Sequence, residues 1–256
     1  MAPSARLVEI FSSIQGEGLL VGQRQVFVRM YGCNLRCSYC DSPETLKETP
    51  SPQTCRVEFP AGSSQFYRLA NPIDPALLTS TLESFLHEPH HSLSITGGEP
   101  LLHANFLETW LPEVQLLNLP VFVETNGMLP DHLKRIAPYV HYISMDYKAP
   151  SATGISRDRT VAAHAAFLET ACQYKAVTYV KLVVTASTLP QEIDDAIALI
   201  LTQHRDVPLV LQPVTPFGNE RQTVNPLTLM RFQAQARAAL NDVRVIPQTH
   251  KMLHAL

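Results

Sequence analysis

Val26-Phe27-Val28-Arg29-Met30-Tyr31-Gly32-Cys33-Asn34-Leu35-Arg36-Cys37-Ser38-Tyr39-Cys40-Asp41 joins two signals without a break. Val26–Met30 is a short β-branched and aromatic run of the kind that forms a strand. Directly after it come three cysteines spaced Cys-x-x-x-Cys-x-x-Cys. Three thiolates on one loop can hold three corners of an iron–sulfur cube, whereas a cluster closed by protein takes four. The fourth iron then stays open to a small molecule, as a catalytic metal keeps a position that a structural one fills. A structural zinc site is the competing reading, and it needs a fourth Cys or His. Cys55 or one of the ten histidines is available for that, but no second Cys-x-x-Cys pair is present. A disulfide framework is disfavoured by an odd count of five cysteines in a long chain.

Outward from this stretch, β-branched runs alternate with helical patterns. Ser92–Thr96, Val121–Thr125, Tyr142–Asp146, Thr178–Val184, Leu209–Val214 and Val243–Ile246 read as further strands. Between them apolar residues recur at helical spacing, as in Ile193, Ile197 and Ile200 or Leu229, Phe232 and Ala236. Pro75, Pro130, Pro190 and Pro226 sit near expected helix starts, where a missing N–H costs least. Strand–helix alternation implies parallel strands joined by right-handed crossovers, hence an α/β barrel or a doubly wound sheet. The 256 residues fit a single domain, 1–256. The segment from about 43 to 74, rich in Pro, Ser and Thr, departs from the rhythm and reads as a long loop or insertion.

Polar groups recur where the strands end: the cysteine loop, Thr96-Gly97-Gly98-Glu99-Pro100, Glu124-Thr125-Asn126-Gly127, Asp146-Tyr147-Lys148, Gln212, and Gln248-Thr249-His250-Lys251. Lys181 lies within the strand before Gln212. Barrels and open α/β sheets build their sites at that end of the strands. The Gly97-Gly98 pair gives backbone N–H groups close access to a ligand. No Gly-x-x-x-x-Gly-Lys pattern surrounds it, so it is not a phosphate loop.

Composition narrows the class. A net charge of -3 with no long basic or acidic run argues against nucleic acid and anionic membrane as main partners. The first residues lack the apolar core of a signal peptide, and no apolar run approaches a membrane span. The expected compartment is a reducing cytoplasm.

With these residues in place, the chain resembles the radical S-adenosylmethionine superfamily. The resemblance rests on the cysteine spacing after a first strand, Tyr39 before the third cysteine, and Gly-Gly-Glu-Pro after a second strand. Glu9-Ile10-Phe11-Ser12-Ser13-Ile14-Gln15-Gly16-Glu17-Gly18 is similar to the opening of the 7-carboxy-7-deazaguanine synthase family. So are Phe27-Val28-Arg29, Cys40-Asp41-Ser42, Glu124-Thr125, Leu211-Gln212-Pro213 and Gln248-Thr249-His250-Lys251. The resemblance implies a partial, TIM-like (β/α) barrel with parallel strands, and usually a homodimer. It also implies a [4Fe-4S] cluster, S-adenosyl-L-methionine and Mg²⁺ as cofactors, and an electron donor such as flavodoxin or ferredoxin. The reaction it implies is a carbon–nitrogen lyase step on the route to queuosine. The pterin 6-carboxy-5,6,7,8-tetrahydropterin contracts to 7-carboxy-7-deazaguanine with release of ammonia.

Carried onto this sequence, the resemblance assigns Cys33, Cys37 and Cys40 to the cluster and Ser42 to Mg²⁺. Ile14, Gln15, Gly16, Arg29, Thr96 and His250 would bind the substrate, Arg29 through its carboxylate. Gly98, Glu124, Thr125, Asp146, Lys148 and Gln212 would line the S-adenosylmethionine pocket. No side chain is assigned as a catalytic group, because the chemistry belongs to the cluster and the cofactor. Ser42 stands where family members often have Thr, and Asp146-Tyr147-Lys148 where many have Ser-Pro-Lys. Two other readings stay open. A glycyl-radical-enzyme activase shares the cysteines, the glycine pair and the Asp-x-Lys strand end. A zinc-stabilised, non-catalytic α/β scaffold would explain the cysteines alone.

Overall fold

Ten strands form one sheet in the computed structural model, which describes residues 3–46, 51–253 and 255. They are β1 (Leu7–Ile14), β2 (Arg24–Met30), β3 (Thr54–Glu58), β4 (Phe66–Ala70), β5 (Ser92–Gly97), β6 (Val121–Thr125), β7 (Tyr142–Tyr147), β8 (Val177–Val184), β9 (Leu209–Pro213) and β10 (Val243–Val245). Their spatial order is β10-β9-β8-β7-β6-β5-β2-β1-β3-β4. From β2 through β5 to β10 every neighbouring pair is parallel. Crossover helices Pro75–Glu83, Ala104–Gln115, Pro130–Ile136, Arg157–Cys172, Pro190–Leu201 and Pro226–Arg237 join successive strands from β4 to β10. The sheet is mixed and does not close, since β10 and β4 end it. This agrees with the expected partial barrel.

All four prolines expected at helix starts occupy the first helical residue. Asp74 and Asn225 cap two of those helices, accepting from Leu77 N and Leu227 N, each at 2.9 Å. No helix among the described residues is long and apolar enough to cross a membrane.

Side chains alternate across a strand, and here the two faces divide the labour. Leu93, Ile95, Val121, Val123, Ile143, Met145, Val180, Leu182, Leu209 and Leu211 are buried in the main core, with Leu107, Trp110, Phe167, Leu168, Ile193 and Phe232 of the crossover helices. The intervening positions include Thr96, Glu124, Asp146, Lys181 and Gln212, which line a cavity on the other face. The period-two alternation thus directs one set of residues to stability and the other to chemistry.

Two parts of the molecule differ from the sequence expectation. The motif Glu9–Gly18, not expected to hold a strand, begins inside one: β1 runs antiparallel to β2, with Phe11 opposite Phe27 and their rings stacked at 5.0 Å. The 43–74 segment is not all loop, because β3 and β4 form an antiparallel hairpin and β3 adds in parallel to β1. Its alternation is hidden among polar residues: Cys55 and Val57 are fully buried while Arg56 between them is exposed. Asn71 ties the hairpin to β1, donating from Nδ2 to Leu7 O at 2.8 Å and accepting from Leu7 N at 3.1 Å. Residues 47–50 of that segment lie outside the described residues.

Candidate active site at the carboxyl ends of the strands

A cavity of about 400 Å³ opens at the carboxyl ends of β2 and β5–β9. Every residue assigned to a cofactor or substrate from the sequence lies on its wall: Ile14, Gln15, Gly16, Arg29, Cys33, Cys37, Cys40, Ser42, Thr96, Gly98, Glu124, Thr125, Asp146, Lys148, Gln212 and His250.

The cysteine loop forms one side. Cys33, Cys37 and Cys40 are free and half-buried; Cys55 is buried in the core, and Cys172 is exposed at the end of a helix. Neither of the latter lines the cavity, so the thiols offered to it are three. Burial pushes the Cys33 and Cys40 thiols upward, and loading a metal centre there would release their protons. Gly98 seats the loop. A Cβ at Gly98 would stand 2.7 Å from the Gly32 carbonyl carbon and 2.9 Å from Cys33 Cβ, and Glu99 N donates to Gly32 O at 2.8 Å. The glycine pair therefore admits the cysteine loop as well as facing the cavity. Behind it, Glu99 accepts from Leu101 N at 3.0 Å, Thr125 Oγ1 at 2.8 Å and Asn126 N at 2.7 Å. The Thr125 hydroxyl is thereby engaged inside the protein. Burial lifts the Glu99 carboxyl to about 7.

The cavity is also lined by a charge network centred on Lys181, which is 2 % exposed. Its Nζ donates to Glu17 Oε2, to Glu124 Oε1 at 2.5 Å, and pairs with Asp146 Oδ1 at 3.2 Å. Asp146 stands beside Lys181 in the β7–β8 register. Its other oxygen accepts from Lys148 Nζ at 2.8 Å, and that ammonium lies 5.5 Å from the Tyr39 ring centre. Burial alone would depress Lys181, but Asp146, Glu124 and Glu17 raise it well above the usual lysine range. Burial would likewise raise Glu17, yet the Lys181 ammonium holds it at about 2. Glu124 shifts upward, because burial outweighs the attraction of Lys181. The backbone of Lys148 donates to buried His164 Nε2 at 3.3 Å, and burial holds the His164 imidazole at about 4.

A third wall combines the turn after β1 with the C-terminal segment. Gln15 N donates to Gln23 O and Gln15 O accepts from Gly22 N; its side chain donates to Gln25 Oε1 and accepts from Glu17 N. Much of the hydrogen-bonding capacity expected to face substrate is thus spent in shaping the turn. Thr249 N donates to Gly16 O at 2.9 Å. Gln248 Nε2 donates to Glu17 Oε1 at 2.7 Å and to Asp41 Oδ2 at 3.2 Å, while Lys251 pairs with Asp41 at 3.2 Å. Burial lowers the His250 imidazole, leaving it neutral near pH 7. Ser42 Oγ lies 3.4 Å from Asp41 Oδ1 and 3.5 Å from Arg29 Nη1.

The donor set fits a cluster and an amine-bearing cofactor. Three thiols without a fourth suit a cluster with an open iron. Gln212 Oε1 is buried without a hydrogen-bond partner among the described residues, an acceptor a bound amine or hydroxyl would satisfy. Sequence reasoning did not assign Glu17, Lys181 or Gln248. A lysine between Val180 and Leu182 was the available signal, since a charge inside an apolar strand must find partners.

Known proteins resemble this chain in sequence and fold. The family model described as the radical SAM superfamily matches residues 27–201. A 7-carboxy-7-deazaguanine synthase of Geobacter sulfurreducens is 40% identical over 99% of each chain. The enzyme of the same name from Methanothermobacter thermautotrophicus is 37% identical over 97% of each chain. Among solved structures, the crystal structure of QueE from Escherichia coli matches with a TM-score of 0.60 at 20% identity, covering 96% of this chain and 95% of that one.

Proposed function

The chain belongs to the 7-carboxy-7-deazaguanine synthase family of the radical SAM superfamily, and from that membership we propose what its cavity does. It converts 6-carboxy-5,6,7,8-tetrahydropterin to 7-carboxy-7-deazaguanine with loss of ammonia. The observation that carries this reading is the meeting, around one cavity, of three free thiols with Arg29 and the Lys181-centred network. A cluster and S-adenosylmethionine, when bound, supply the 5'-deoxyadenosyl radical that begins the ring contraction.

The chain's own residues bind and orient. Cys33, Cys37 and Cys40 would hold the cluster. Gly98, Glu124, Thr125, Asp146, Lys148 and Gln212 would face S-adenosylmethionine, with carboxylates for its amine and Gln212 Oε1 as a further acceptor. Arg29 would pair with the substrate carboxylate, a geometry that suits the guanidinium fork. Thr96 and neutral His250 would bond to the ring. The exposed Ile14 side chain would cover the pterin at the turn formed by Gln15 and Gly16. Ser42 would give its hydroxyl to Mg²⁺, as a hard cation prefers oxygen.

The continuous sheet from β4 to β10 supports one domain over 1–256, with the β3–β4 hairpin as its insertion. A small redox protein such as flavodoxin or ferredoxin would deliver the electron, in a reducing cytoplasm that preserves the cluster. The family resemblance supports a homodimer. The identity over full length to named synthases favours this reading over a glycyl-radical-enzyme activase or a zinc scaffold.

Anaerobic reconstitution with iron and sulfide, then incubation with S-adenosylmethionine, a reductant, Mg²⁺ and the carboxylated tetrahydropterin, tests it. A 7-deazapurine product is expected. 5'-Deoxyadenosine without that product would overturn the substrate assignment, and a colourless protein holding one zinc would overturn the chemistry.

A further inference from the structure

A line of polar side chains crosses the sheet and leads from the hairpin insertion into the cavity. Glu9 on β1 stands opposite Arg29 on β2 and beside Arg56 on β3 in backbone register. Glu9 Oε1 accepts from Arg29 Nε at 2.9 Å, and its Oε2 lies 3.5 Å from Arg56 Nη1. Beyond Arg29 the row continues through Thr96, its register partner on β5, to Glu124 on β6, which accepts from Thr96 Oγ1 at 3.3 Å. Arg29 and Thr96 line the cavity; Glu9 and Arg56 do not.

The geometry divides Arg29 into two ends. Nε is taken by Glu9, and the guanidinium lies 5.7 Å from the centre of the Phe11 ring, which stacks on Phe27. Nη1 reaches the cavity wall at Ser42 Oγ. A guanidinium fixed on its Nε side presents its terminal nitrogens as a preset fork, so less freedom is lost when a carboxylate binds. Charge is set as well. One carboxylate shared by two arginines leaves the Arg56–Glu9–Arg29 trio one positive charge, which an incoming carboxylate neutralises. The Arg29 and Glu9 side chains are only 20% and 16% exposed, so water weakens this pairing less than on an open surface.

We propose that Glu9 is the positioning residue of the substrate-carboxylate subsite, and that Arg56 tunes it from the β3–β4 hairpin. Glu9 holds the Arg29 fork toward the ligand. Arg56, by drawing on the same carboxylate, keeps Arg29 from being fully neutralised. The hairpin thereby contributes to selecting a carboxylated ring over a bare one. This rests on the reading that Arg29 takes the substrate carboxylate.

The test uses the reconstituted full-length enzyme and two probes: 6-carboxytetrahydropterin as substrate, and tetrahydropterin, which lacks the carboxylate, as competitive inhibitor. Glu9→Ala is expected to raise KM about tenfold with kcat within about twofold and the tetrahydropterin Ki unchanged, a charge-assisted contact of ordinary strength. Glu9→Gln, which keeps an acceptor for Nε, should restore most of that loss. Equal rises in KM and Ki, or no rescue by Gln, would show Glu9 to be merely structural and overturn the proposal. Arg29→Gln separates the layers. If it leaves the ratio of KM to Ki unchanged, the Arg29 reading fails; if it shifts that ratio and Glu9→Ala does not, only the positioning role fails. Should Glu9→Ala not fold, Arg56→Gln decides: KM should rise about twofold at low salt, and the rise should vanish at high salt. No change at low salt would remove the hairpin from the subsite.

Discussion

Gly16 and His250 are packed so closely that a Cβ on Gly16 would stand 2.6 Å from His250 Cβ and Cγ. The turn after β1 is thereby the seat of the C-terminal segment, whose short helix Thr249–Leu253 begins at that contact. Gly16→Ala should unseat this helix without touching the cysteine loop. The expected result is a substrate KM raised about tenfold, faster proteolysis near residue 250, and unchanged cluster absorbance.

Lys181→Met should damage stability as well as activity. It leaves Glu17, Glu124 and Asp146 without their common cation. Removing one partner of a buried ion network costs about 3–5 kcal/mol. Urea unfolding of the wild type and variant at pH 7 measures it, and a difference below about 1 kcal/mol would mean that water or Lys148 compensates.

Gly98→Ala should act on the cluster from a neighbouring strand. Its methyl group meets Gly32 and Cys33, so the cysteine loop must move. Iron content after reconstitution should fall well below the wild type while the circular dichroism of the fold is retained.

His164 offers a pH test. Its imidazole ionises at about 4 in the folded chain against 6.5 when free, because burial disfavours the cation. The unfolded state therefore takes up the proton first. The stabilisation this provides is complete above pH 6.5 and is lost as pH falls toward 4, by on the order of 3 kcal/mol. Glu99 works in the opposite sense, since its carboxyl rises from 4.5 to about 7; its contribution is full below 4.5 and is lost as pH rises through 7. Glu99 is common to the wild type and His164→Phe, so the gap between their unfolding free energies isolates the histidine. That gap should shift against the wild type on acidification from pH 7 to 4, and a constant gap would contradict the assignment.

The parallel core was legible because its strands are β-branched runs separated by proline-started helices. Val121–Thr125 matches to the residue, and the others lie within two residues of the observed ends. The hairpin was not legible. Thr54–Glu58 and Phe66–Ala70 gain their order from pairing with β1 and with each other and from Asn71, contacts distant in sequence. The same limit hid the charge network. Lys181 is a charge in an apolar strand, but its partners Glu17 and Glu124 are 164 and 57 residues away. Family resemblance located the cavity-facing residues one by one. It did not reveal that the Gln15 amide is spent on Gln25 and Glu17.

The row Arg56–Glu9–Arg29–Thr96–Glu124 draws one residue from each strand between β3 and β6. A slip of one residue in any of those strands would turn its member to the opposite face and split the row. With Arg29 in its proposed role, the subsite would act as a checkpoint on folding: a chain that has assembled its sheet out of step would carry a cavity that no longer recognises a carboxylate.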